Sequence, residues 1–379
     1  MNNYPVIHWH EAGEERSARW CSEKAMPPPK RVLVIDDRMT AEAAYRLVCE
    51  GTALLWRGDF QNARQLLQAL ARRADKKRLA HKATSPSAEI FHLHRQAQSQ
   101  RARILGSLLI PFSADHSIPL SRAPDVRLAC LEAYGPATEA YIASLRELQG
   151  LIGAFEWRKK GIPFPALDAR IHPHYGVFAP IRSEYVGLIA DAPLPRLVST
   201  QSVAFDIGTG TGILAAVLAR RGIQRIVATD QDLRAINCAR ENLARLGLAN
   251  RVDLVQTNLF PQGQAALIVC NPPWIPARPS SPLEHAIFDP DSRMLRGFLH
   301  GLGAHLAPGG EGWLILSDLA EYLGLRTRAE LLAEIDAAGL KILSKSDVTP
   351  HHPRVADSRD PLHAARAAEL TSLWRLAVK

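Results

Sequence analysis

Glycines at 208, 210 and 212 alternate in Asp206-Ile207-Gly208-Thr209-Gly210-Thr211-Gly212. The run lies between an apolar stretch ending at Phe205 and a helical pattern opening at Ile213. Glycine permits a tight turn and lets a ligand lie against bare backbone. The chemistry indicated is the binding of a nucleoside-like cofactor. A dinucleotide fingerprint needs its third glycine at 213, where Ile213 stands, and a P-loop needs a lysine at the end of the loop, where there is none. Asp230 ends the next apolar run, Arg225-Ile226-Val227-Ala228-Thr229-Asp230. A carboxylate there accepts two hydrogen bonds from ribose hydroxyls. Its alternative role, capping the following helix, suits Asp232 better.

A second element is Asn271-Pro272-Pro273-Trp274, after the apolar run Ala266–Cys270. With the glycine loop upstream, the chain resembles the N-P-P-[YFW] amino-methyltransferase branch of the class I S-adenosylmethionine (SAM)-dependent methyltransferases. That branch includes release-factor glutamine methyltransferases ("methyltransferase small domain"), adenine-N6 DNA and RNA methyltransferases and some guanine-N2 rRNA methyltransferases. The resemblance spans roughly residues 170–379. It implies SAM as cofactor and a planar amide or exocyclic amine as methyl acceptor. Such a nitrogen is a poor nucleophile because its lone pair is delocalised. If the Asn271 side-chain oxygen and the Pro272 carbonyl each accept one N–H, the nitrogen pyramidalises and its lone pair points at the methyl group. The prolines stiffen the loop, and Trp274 offers a flat face for stacking a base or an amide plane. Asn271, Pro272 and Trp274 are the expected catalytic residues.

The resemblance also assigns cofactor contacts. Asp206 falls where related enzymes hold a carboxylate near the methionine moiety, with Gly208, Thr209, Gly210 and Gly212 forming the loop. Asn258, after the third strand, falls where an amide reads the adenine edge; a plain turn residue is the alternative. Val177-Phe178-Ala179-Pro180-Ile181-Arg182-Ser183-Glu184 resembles the F-x-P-R-P-E-T-E segment of release-factor methyltransferases, with Ile181 inserted and Ser183 in place of a proline. Phe178 and Pro180 are thereby expected beside the methionine end of SAM.

These residues need a scaffold. After Ser199 strands and helices alternate. Strands are expected at Val203–Phe205, Arg225–Thr229, Val252–Gln256, Ala266–Cys270, Gly312–Ser317, Lys341–Lys345 and Leu373–Val378. Helices are expected at Ile213–Arg221, Leu233–Leu246, Ser292–His305 and Arg328–Ala338. The fold class is α/β: a Rossmann-like class I methyltransferase with a seven-stranded, mostly parallel sheet, whose ligands bind at the carboxyl ends of the strands. A mostly helical N-terminal domain is expected before it. Its helices start near Thr40, at an Asp59 cap, at Ser87, at Asp125 and at Ala137; Leu55 is read into the first. Residues 1–29, ending in Met26-Pro27-Pro28-Pro29, read as a poorly ordered leader. Residues 30–165 read as the substrate-recognition domain and 166–379 as the methyltransferase domain. Gly161-Ile162-Pro163-Phe164-Pro165 is the linker.

The chain of 379 residues is 47% hydrophobic and 22% charged, as in ordinary globular proteins. Its longest apolar run, Ile104–Phe112, is too short for a membrane span, and Met1–Trp20 lacks the apolar core of a signal peptide. Cys21, Cys49, Cys130, Cys238 and Cys270 show no CxxC spacing, which argues against zinc and a disulfide framework. No metal is expected; His92 and His94, His172 and His174, and His351-His352 read as loop or surface histidines. A cytoplasmic location is expected. The net charge of +8 is uneven: residues 1–165 carry 24 Lys and Arg against 17 Asp and Glu, an excess of +7. That excess indicates a face for a polyanion, or else a solvated surface. The expected substrate is a macromolecule of translation, either a protein glutamine, as the Phe178 segment favours, or an RNA base, as Arg72 to Lys82 and Arg95 to Arg103 favour. The alternatives are a small-molecule N-methyltransferase and a non-catalytic SAM- or RNA-binding module. Thr349–Ala368 reads as a substrate flap or a long loop, and Ser317-Asp318 as the rim of the pocket.

Overall fold

The computed structural model describes residues 4–23, 26–76, 87–179, 183–198, 202–279, 282–351, 357 and 360–379. The chain divides into two compact units. The described residues of Met1–Thr84 and His92–Glu156 form the first, and those of Ser85–Phe91 and Trp157–Lys379 the second.

The first unit holds strands β1 (Val6–Glu11), β2 (Glu14–Trp20), β3 (Val32–Ile35), β4 (Ala53–Trp56), β5 (Leu108–Phe112) and β6 (Tyr141–Ser144). Its helices are α1 (Ala41–Cys49), α2 (Phe60–Lys76), α3 (Ser87–Gly106), α4 (Arg127–Tyr134) and α5 (Leu145–Lys160). The strands form one sheet in the order β1-β2-β6-β5-β4-β3.

This corrects two expectations. The segment read as a poorly ordered leader forms a hairpin whose turn, Ala12-Gly13, has positive φ at both residues (52° and 83°), the geometry that matches strand twist. Ile7 and Trp9 alternate inward and join Trp20, Leu55, Leu109 and Ile142 in one apolar cluster, each side chain contributing roughly 1.5–3 kcal/mol by burial. The domain read as mostly helical is α/β. Ala53–Trp56 and Tyr141–Ser144 are wholly buried strands, so Leu55 lies on a strand and the helix expected from Ala137 begins at Leu145. Apolar runs of four residues carry no period that separates strand from helix.

Besides the start of α3 and the end of α5, the second unit contains a small hairpin, β7 (Ile162–Phe164) and β8 (Ala169–Ile171). Then follow α6 (Glu184–Asp191), β9 (Val203–Ile207), α7 (Ile213–Arg220), β10 (Arg225–Asp230), α8 (Leu233–Arg245), β11 (Val252–Gln256) and β12 (Ala265–Cys270). The unit ends with α9 (Arg293–His305), β13 (Leu306–Ser317), α10 (Leu319–Tyr322), α11 (Arg328–Ala337), β14 (Leu340–Val348), α12 (His363–Ala368) and β15 (Thr371–Val378). The seven-stranded sheet runs β11-β10-β9-β12-β13-β15-β14. Only β15 is antiparallel to its neighbours.

Central strands buried on both faces read as continuous apolar runs, and every residue of β12 is buried. Its side chains alternate between two cores. Leu267 and Val269 pack with α6 and α7 on one face, while Ile268 and Cys270 pack with α9 and α11 on the other. A capping box, Thr327 with Glu330, starts α11. Among the described residues no helix is long and apolar enough to cross a membrane.

Candidate active site

Strand register brings the expected residues together. Ile207 of β9 is level with Thr229 of β10 and with Cys270 of β12. The next residues along each strand, Gly208, Asp230 and Asn271, therefore emerge side by side at the carboxyl end of the sheet. The glycine loop and the Asn271-Pro272-Pro273-Trp274 loop share one crevice edge, where parallel sheets bind ligands.

The glycines divide by role. All three have positive φ: 73° at Gly208, 55° at Gly210 and 82° at Gly212. A Cβ on Gly210 would meet open space, whereas one on Gly212 would stand 3.1 Å from Cβ and 3.2 Å from Cα of Ala239 on α8. Gly210 thus leaves backbone bare toward the crevice, and Gly212 lets α7 and α8 pack. Thr209 is buried, and its hydroxyl donates to Asp206 Oδ2 at 2.7 Å.

Asp206 is fully buried. Its Oδ2 also accepts the Ala215 N–H at 3.0 Å, while Oδ1 has no hydrogen-bond partner among the described residues. Burial pushes its pKa up to about 6, against the two hydrogen bonds to the ionised form. Asp230 accepts the Gly210 N–H on Oδ2 and the Asp232 N–H on Oδ1, both at 3.0 Å. Burial raises its pKa as well. Each carboxylate oxygen offers a second lone pair, so both remain acceptors for hydroxyls. Asp232 caps α8 through the Arg234 N–H, which leaves Asp230 to the crevice. Asn258 is exposed, two residues past the strand partner of Asp230.

On the acceptor side, Pro272 is buried and Asn271 half-buried. The Trp274 indole donates to Asn271 Oδ1 at 2.8 Å. Its ring meets Tyr185 edge to face at 6.4 Å and packs against three apolar clusters. Trp274 therefore holds Asn271 in place. The amide oxygen keeps one lone pair for an incoming N–H.

Phe178 is half-buried in the segment before α6; Pro180 and Arg182 lie outside the described residues. That segment is fixed to α8. The His172 N–H donates to Asn242 Oδ1 at 2.8 Å, and Asn242 Nδ2 donates to the Thr211 carbonyl at 3.1 Å. Asn242, buried on the apolar stripe of α8, thus ties this segment to the glycine loop. His172 and His174 face the Arg158 carbonyl and Glu241. Among the described residues no group of three His, Cys, Asp or Glu is placed to hold a metal.

Sequence reasoning also missed Asp289. It is buried, and its Oδ2 accepts the N–H groups of Met294 and Leu295 at 2.9 and 3.2 Å, capping α9. Its own N–H donates to the Ile275 carbonyl at 2.9 Å, so it fastens the acceptor loop to α9. Its signal was the Asp-Pro pair before a helical run. Ser317 and Asp318, expected at the rim, bond Glu369 Oε1 and the Leu370 N–H. Leu362, beside α12, and Ala365 within it pack with Ile275 and Trp274, which places the described part of the 349–368 segment against the acceptor loop.

This strand order, with one antiparallel strand next to the edge and a glycine loop after the central strand, is the class I SAM-dependent methyltransferase fold. Residues 169–327 match the family model of the methyltransferase small domain. It is 32% identical over 157 residues to ribosomal protein L11 methyltransferase of Pelotomaculum thermopropionicum, covering 41% of this chain and 43% of that one. It is 34% identical over 200 residues to release factor glutamine methyltransferase of Cereibacter sphaeroides, covering 49% and 65%. A third relative, U6 small nuclear RNA (adenine-(43)-N(6))-methyltransferase of Caenorhabditis elegans, is 30% identical over 122 residues, covering 28% and 26%. The chain spans about half the length of the curated relatives it matches.

The residues present fit SAM. Gly210 leaves room at the crevice, a buried carboxylate oxygen of Asp206 lacks a partner among the described residues, and Asp230 stands beside them at the adjacent strand end.

Proposed function

We propose that this chain transfers a methyl group from SAM to a planar nitrogen of a macromolecule. The supporting observation is the register that sets Asn271 level with Gly208 and Asp230 across adjacent strands. When bound, SAM supplies a methyl group on a positively charged sulfur. Gly210, Asp206 and Asp230 bind it. Phe178, Pro180 and Asn258 are assigned to the methionine end and the adenine edge. Asn271 Oδ1 and the Pro272 carbonyl each accept one N–H of the acceptor and so direct its lone pair into the crevice. Trp274 holds Asn271. Alignment and electrostatics carry the reaction, and no strong base is required, because the methylated nitrogen loses its proton easily.

The test is labelling. Purified protein is incubated with SAM carrying a radioactive methyl group and with extract from a strain lacking this gene. Label in a macromolecular fraction is the expected result, released by nuclease if the acceptor is a base and by protease if it is a side chain. SAM binding without label in any macromolecule would overturn the proposal in favour of a small-molecule acceptor or a binding module.

A further inference from the structure

Arg326 lies between α10 and α11 and is 9% exposed. Its Nε and Nη2 are buried and have no hydrogen-bond partner among the described residues. Those two atoms form the edge of the guanidinium that offers parallel N–H groups to two oxygens at once. Carboxylates are near: Glu321, Asp289 and Glu330 all act on Arg326 through space. None of them accepts either N–H. Glu321 is bonded to Arg328 at 2.8 Å, Asp289 caps α9, and Glu330 is committed to the capping box of α11. A guanidinium removed from water without an acceptor is costly, and burial accordingly lowers its pKa.

Its position connects this cation to the acceptor loop. Leu325, the preceding residue, packs against the cluster that includes Ile275, Phe288 and Trp274. Asp289, within electrostatic reach of Arg326, donates its N–H to the Ile275 carbonyl. The unpaired fork thus stands beside the loop that presents the methyl acceptor, at the carboxyl ends of β12 and β13.

We infer that Arg326 is an oxyanion-binding residue that takes a phosphodiester of a single-stranded nucleic acid whose base is offered to Asn271. The inference rests on the proposed function, since it assumes that this loop receives the acceptor. A nucleotide favours itself on chemical grounds: every base in a polynucleotide arrives with a phosphate one sugar away, whereas a glutamine side chain brings no charge. A base enters such a crevice only when it is unpaired or flipped out.

The test uses the full chain and a short fluorescein-labelled single-stranded RNA, with binding followed by anisotropy across a salt series. SAM binding is measured in parallel by calorimetry. Arg326→Gln is expected to weaken RNA binding about tenfold and to reduce the slope of log affinity against log salt by about 0.7, with SAM affinity unchanged. Arg326→Lys keeps the charge and loses the fork, so it is expected to keep the slope and bind about threefold more weakly. RNA affinity and slope equal to wild type in both variants would overturn the inference. So would a loss confined to binding of a poly-glutamate peptide, which would assign the site to a protein carboxylate. Wild-type protein that binds RNA through Arg326 but does not bind SAM would overturn the proposed function and leave the oxyanion site standing.

Discussion

The indole Nε1 of Trp274 donates a 2.8 Å hydrogen bond to Oδ1 of Asn271, the oxygen proposed above to accept an N–H of the methyl acceptor. The tryptophan therefore does more than offer a stacking face. It fixes the amide plane from within its own loop and leaves one lone pair open. Trp274→Phe, which keeps an aromatic face and removes the donor, should lower kcat about three- to tenfold with SAM affinity unchanged. A variant with wild-type kcat would mean that the ring face alone matters.

Asn271→Ala removes the oxygen that orients the acceptor. Transfer should fall by about two to three orders of magnitude, while SAM binding, measured by calorimetry, stays close to wild type. Loss of SAM binding in this variant would show that Asn271 serves the cofactor.

The glycines separate stability from binding. Gly212→Ala forces a Cβ to within 3.1 Å of Ala239 at a φ of 82°, so it should destabilise the protein by about 2 kcal/mol or more. That effect reads out as a lower Tm. Gly210→Ala points into open space and should cost less stability but weaken SAM binding at least about tenfold, because the methyl occupies the surface on which the ligand lies. Equal effects of the two variants on both readouts would contradict the division.

Asp206 should make stability depend on pH. Burial raises its folded pKa to about 6, above the value near 4 of an unfolded Asp. The folded state then binds this proton more tightly than the unfolded state. The stability it contributes is full at low pH and is lost as pH rises from about 4 through about 6. Asp206→Asn has no proton to lose. The Tm difference between wild type and variant should change across that window and be flat above it. A difference constant from pH 4 to 8 would show that the carboxylate does not titrate in that window.

Asp289→Ala should leave the Met294 and Leu295 N–H groups without their cap. The expected loss is about 1–2 kcal/mol in stability. Because Asp289 also anchors Ile275, a fall in kcat larger than the fall in SAM affinity is expected. Asp289→Asn, which retains an acceptor, should recover most of the stability.

Much of the second unit was legible in the sequence. Its strands are apolar runs ended by Gly, Pro and Asp, and its helices carry a clear period, so Val252–Gln256 was bounded correctly and most other elements to within two residues. The first unit was not. Its strands at Ala53–Trp56 and Tyr141–Ser144 are too short and too uniformly apolar to show a period. The alternation of Ile7 and Trp9 before Ala12-Gly13 is short and set among polar residues, so in the sequence the strand there reads as a poorly ordered leader.

By itself the sequence determined the Asp206–Gly212 loop, the Asn271-Pro272-Pro273-Trp274 element and the alternation of strands and helices after Ser199, because each is written in residues adjacent along the chain. Tertiary structure alone decided that Gly208, Asp230 and Asn271 emerge level, that Asn242 and Asp289 tie the loops down, and that among the described residues one oxygen of the buried Asp206 has no partner and Arg326 Nε and Nη2 have no acceptor. Those properties depend on strand register and on the removal of water by residues distant in sequence. No local pattern encodes either one.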